Sequence, residues 1–174
     1  MKGPGPAAAA IIAIGTMLSG PSFAACTQDR AIYADADDRY TLTFQRQAGD
    51  SAENLASEFL LKDGESQLQL SGVVMREGAA SRPQAALMHD CPSGDATGAE
   101  LAACTVWQGV IYGLKEGADA ELLPRAAEPA AQAVLLPDLA GTAAGFDFKL
   151  DKPLGAMPPD VYRFKECGPN SENE

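Results

Sequence analysis

The chain has 174 residues, 46% hydrophobic, 21% charged and only 6% aromatic, with a formal charge of −11. That apolar content excludes a disordered acidic tail, and the acidity excludes phosphate-backbone binding as a default role, so no nucleic-acid partner is expected. The one long apolar run lies at the N-terminus, which excludes a polytopic membrane protein.

Residues 1–24 read as an export signal. Lys2 gives the positive start, Ala7–Leu18 the apolar core, and Ser22 and Ala24 bracket Phe23 in the small-x-small pattern of a cleavage site. The core is too short to cross the roughly 30 Å hydrocarbon layer at about 1.5 Å per residue. No membrane span is therefore expected in the mature form. Cleavage after Ala24 leaves 150 residues and, with Lys2 gone, a charge of −12. A rival route would lipidate Cys26 after Phe23-Ala24-Ala25. It leaves an odd number of cysteines, so a periplasmic or secreted domain is favoured.

Most of the mature chain reads as strands. Tyr40–Gln45 alternates, with Tyr40, Leu42 and Phe44 on one face. Glu58–Lys62 is followed by the hairpin dipeptide Asp63-Gly64, and Ser66–Met75 returns. Gly72 interrupts the returning face and marks a bulge or a close approach. Arg76–Arg82 reads as a loop and Gln84–His89 as a strand. Thr105–Leu114 is the strongest strand signal, and Ala120–Leu123 is a short one ended by Pro124. Glu128–Pro137 places Pro129 at a first helical position, continues with helix formers and stops at Pro137, which predicts the one short helix. Leu139–Gly145 reads as small and flexible. Phe146–Leu150 alternates again, Pro153–Pro159 is a loop, and Asp160–Cys167 is a final strand.

These elements predict one mainly β domain over 25–167, an antiparallel sandwich or barrel-like fold, with a disordered tail at 168–174. The main conflict is the 26 alanines of the mature chain, since alanine is a weak strand former.

Four cysteines allow three connectivities in an oxidising compartment. Cys91–Cys104 and Cys26–Cys167 are favoured. The first closes a segment rich in turn formers, and the second ties the chain ends together. No Cys-x-x-Cys occurs and His89 is the only histidine, so neither a metal nor another cofactor is expected.

Three stretches, Cys104-Thr-Val-Trp-Gln-Gly-Val-Ile-Tyr-Gly, Pro129–Leu139 and Val161-Tyr-Arg-Phe-Lys-Glu-Cys, resemble small, mostly uncharacterised exported proteins of alpha-proteobacteria. The resemblance covers the C-terminal half. It implies a periplasmic setting and transfers no catalytic residue, cofactor or substrate.

Catalytic patterns are absent from the sequence. No Gly-x-Ser-x-Gly elbow accompanies His89, and on a strand the neighbours His89 and Asp90 would point apart. Asp35-Ala36-Asp37-Asp38 has the wrong continuation for a calcium loop, with Tyr40 where glycine belongs and Arg46 where an acid belongs. It reads as a solvated turn. Trp107, the sole tryptophan, reads as a core anchor, with a partner or ligand contact at Trp107 or Tyr112 as the minority reading. Tyr112 has the opposite strand parity. Two function classes follow: a non-enzymatic binding or interaction domain for a basic protein or small ligand, or a hydrolase or transferase using paired carboxylates.

Overall fold

The computed structural model describes residues 26–45, 55–76, 78, 81–115 and 119–169. The expected signal at 1–24 lies outside them, as does the tail from 170 onward. The strands are β1 (Ala31–Ala34), β2 (Tyr40–Gln45), β3 (Leu55–Asp63), β4 (Gln69–Met75) and β5 (Gln84–Met88) in the first half. Then come β6 (Thr105–Val110), β7 (Tyr112–Leu114), β8 (Ala120–Leu122), β9 (Ala133–Leu135) and β10 (Val161–Cys167). Two short helices, α1 (Gly98–Cys104) and α2 (Leu139–Ala144), sit between them.

All neighbouring strands are antiparallel, in the order β6-β5-β4-β3-β2-β1-β10-β9-β7-β8. The sheet curls into a half-barrel, so the mainly β, barrel-like expectation holds. The run Thr105–Leu114, read as one strand, breaks at Ile111. Its first half pairs with β5 and its second with β9, so one stretch of chain serves both ends of the ladder.

Alternation builds the interior. Along β2, Tyr40, Leu42 and Phe44 are buried while the residues between them face outward. Cross-strand partners extend this into rows: Tyr33, Leu42, Leu61 and Leu70 form one, and Phe44, Phe59, Gly72, Leu87 and Trp107 the next. Gly72 is a close approach rather than a bulge. The ring of Phe59 lies over it, and a Cβ there would sit 2.4 Å from ring carbons. Trp107 is 3% exposed and donates from Nε1 to the Pro137 carbonyl at 2.8 Å.

Both disulfides pair as favoured. Cys26 joins Cys167 with Cα atoms 5.7 Å apart, and Cys91 joins Cys104 at 5.2 Å. The first staples the start of the domain to the end of β10, which pairs with β1.

The expected helix at Glu128–Pro137 does not form. Its backbone donors are committed elsewhere: Ala130 N–H to the Cys26 carbonyl, Ala131 N–H to Gln28 Oε1, and Gln132 N–H to the Leu114 carbonyl. Val134 then fills a fully buried slot in β9, between β10 and β7. The stretch expected to be small and flexible holds α2 instead. Its cap is non-local, because the Asp160 carboxylate accepts from the Asp138 and Ala140 N–H groups at 3.0 and 2.9 Å. Phe146–Leu150 is not a strand either. Lys149 has a left-handed φ of 48°, which ends any pleat, although Phe148 still reaches the core.

Candidate functional site

The Asp63-Gly64 dipeptide does not make a two-residue hairpin turn. Asp63 is the last residue of β3, and the chain returns only at Leu68, whose carbonyl accepts from Asp63 N–H. The Asp63 carboxylate is wholly buried. It accepts from Arg39 Nε and Nη2, from the Ser66 hydroxyl and from Glu65 N–H, at 2.7–3.1 Å. Burial alone would raise the Asp63 pKa. The Arg39 fork and the other donors outweigh it and hold the carboxyl below the usual range. The third arm of Arg39, Nη1, pairs with Glu65 at 2.8 Å.

Residues 146–159 form a strap across this end of the half-barrel, without regular structure. Phe148 anchors it in the core. The Tyr40 hydroxyl donates to the Ala156 carbonyl at 2.6 Å, and Gly155 lies so close to Arg39 that a Cβ would stand 2.9 Å from Nη1. His89 holds the near side. Nδ1 lies 3.3 Å from the Gln69 carbonyl and Nε2 3.1 Å from the Phe148 carbonyl, between the edges of Phe146 and Phe148. Both ring nitrogens face backbone carbonyl oxygens, and a neutral imidazole, with a single N–H, can donate to only one of them.

Asp90 departs from the sequence expectation. β5 stops at Met88 and Asp90 takes φ 49°, so its carboxylate swings back to 3.4 Å from His89 Nε2. Asp90 and Lys149 are thus two non-glycine residues in the left-handed region at one place. Such conformations are costly for a lysine and concentrate at functional sites.

Two clefts open beneath the strap, of about 500 and 460 Å³. They adjoin, because Gln67 and Leu150 line both. The first is walled by Arg39, Glu65, Asp151 and Lys152, two cations against two anions. The second is walled by Gln69, Ser71, His89, Asp90 and Lys149, with Lys149 opposing Asp90. Each lies in the size range of small-molecule sites.

Of the residues singled out in the sequence, Trp107 lies in the core with no exposed face, and Tyr112 is half-buried on the outer side of β7. Neither reaches the double cleft. The Asp35–Asp38 cluster forms the β1–β2 turn. Asp35 Oδ1 accepts from Tyr40 N–H at 2.8 Å and Asp38 pairs with Lys165 at 2.8 Å. Sequence reasoning missed Arg39, Gln67, Gln69 and the strap charges, since a polar residue in a loop or on the outer face of a strand reads as ordinary solvated surface.

Compared with known proteins, the chain matches no family model, no curated protein and no solved structure.

Proposed function

We propose that this is an exported, disulfide-stapled binding domain that holds a small polar ligand in the double cleft beneath the strap. The observation that carries the reading is the cleft itself: two adjoining concavities floored by a rigid hairpin and roofed by a strap with no regular structure. Two left-handed turns, Asp90 and Lys149, shape its rim. Export rests on the signal-like N-terminus, and the two disulfides are compatible with it. No helix among the described residues is long and apolar enough to cross a membrane.

Binding is better supported than catalysis. Acid–base chemistry by paired carboxylates needs one carboxyl held up in pKa. Among the described residues, the two carboxyls that the fold clearly shifts, Asp63 and Glu100, both move down. His89, the only imidazole, has a backbone carbonyl against each ring nitrogen. The overall charge would draw a basic partner, but the charges lining each cleft cancel, which favours a small neutral ligand there.

Chemical-shift mapping tests this reading, with a library of small polar compounds titrated into the isotope-labelled mature protein. Shifts confined to 64–71, 88–91 and 147–155 are expected. Ligands that bind only elsewhere, for example along β8, would overturn it.

A further inference from the structure

The double cleft also points to the kind of ligand. We infer that it takes an uncharged oligosaccharide, one sugar unit on each side of the ridge made by Gln67 and Leu150. This rests on the reading of the cleft as a binding site.

Four observations lead there. The two clefts are nearly equal in volume, about 500 and 460 Å³, and share one wall, which suits a ligand of at least two similar units. The formal charges of the lining residues sum to zero in each, so charge count favours neither a cation nor an anion. The start of β4, which floors the second cleft, is paired to β3 from Gln69 and to β5 from Ser71, and on the β5 side of Gln69 the His89 ring stands against its carbonyl at 3.3 Å. An extended peptide therefore has no free backbone edge to add to, and recognition falls to side chains. The side chains available are Gln67, in the bend that leads into β4, and Gln69 and Ser71 on one face of β4 about 7 Å apart, all three exposed.

An amide carries both donors and an acceptor, and a hydroxyl carries one of each kind. A sugar hydroxyl has the same double capacity, so the row can meet successive hydroxyls in either sense. Leu150, half-buried on the ridge, offers apolar surface to the C–H face of a ring.

The experiment is a titration of the full mature protein followed by its Gln67 and Gln69 side-chain amide signals. The probes are the N-acetylglucosamine trimer, maltotriose and cellotriose, their monosaccharides, and hexalysine, hexaglutamate and a neutral Gly/Ser hexapeptide. At least one trisaccharide should shift both amides and bind about tenfold more tightly than its monosaccharide, a difference set by filling the second cleft. Added salt should leave that affinity unchanged. Gln67→Ala with Gln69→Ala should weaken it at least tenfold while the melting temperature stays put, because both side chains are exposed.

A trisaccharide no better than its monosaccharide would overturn the two-unit argument. A peptide that shifts these signals while no sugar does would overturn the sugar class and leave the site standing. Silence from every probe would remove the site as well.

Discussion

Arg39 grips Asp63 with two of its three guanidinium nitrogens, Nε to Oδ1 and Nη2 to Oδ2, each at 2.9 Å. The pair joins the start of β2 to the end of β3 and holds Arg39 in the wall of the first cleft. Asp63→Ala takes away the partner of Nε and Nη2 and leaves the guanidinium only the exposed Glu65. It should cost about 2–3 kcal/mol, less than a fully buried pair because Arg39 keeps 14% of its side chain in contact with water. Urea unfolding of the two proteins measures it.

The same pair sets an acid limb. A carboxyl whose pKa folding depresses adds stability above its unfolded value of about 3.9. That stability is lost as pH falls through the lower folded value. Asp63 is such a group. Stability should therefore fall below about pH 4 in the native protein, and less steeply in Asp63→Asn, which is weaker at neutral pH. Equal slopes in melting curves from pH 2 to 6 would contradict the assignment.

Phe59 lies over Gly72, its direct partner across β3 and β4. Gly72→Ala should destabilise by about 1–3 kcal/mol through overpacking. Phe59→Leu should relieve part of that cost, giving a coupling between the two substitutions in a double-mutant cycle. Additive effects would mean that the ring swings away freely.

Trp107 reports on the core. Its emission should be blue-shifted and resistant to acrylamide, since the residue is 3% exposed. Trp107→Phe should lose about 1 kcal/mol with the Pro137 hydrogen bond, and Trp107→Ala about 3–5 kcal/mol. Ready quenching in the native state would place the indole at the surface instead.

The disulfides should differ in weight. Replacing Cys91 and Cys104 with serine should cost about 3 kcal/mol, and replacing Cys26 and Cys167 about 5 kcal/mol, because the second pair closes a far longer loop. Chemical unfolding under oxidising conditions gives the order, and a reversed order would point to strain or to structure in the unfolded chain.

Legibility in the sequence tracked the range of the forces involved. β2, β4 and β10 show their alternation because one face of each meets the core. α1 had a local signal that strand-reading passed over: Thr97 and Glu100 form a capping box. α2 had none, since its N-terminal donors are met by Asp160 from another part of the chain. The stretch 128–137 had helix formers and bracketing prolines, but its N–H groups serve Cys26, Gln28 and Leu114. β1 is four residues, Ala-Ile-Tyr-Ala, too short to carry a pattern that stands out. The cleft was invisible for a related reason. Its walls come from Arg39, from 64–71, from 88–91 and from the strap, and only the fold brings those exposed polar residues together.

A sheet ordinarily frays from its outermost strands inward. In this protein the two ends of the ladder, apart from β8, are halves of one run joined through the fully buried Ile111. Loosening one half from β5 drags the other against β9, so neither can peel away alone. β8, three exposed residues long, is the one place where pairing can be lost a strand at a time. Opening at the β6 end of the ladder should therefore be coupled to opening at β7. A ligand held under the strap would rest on the middle of the sheet, away from both of those ends.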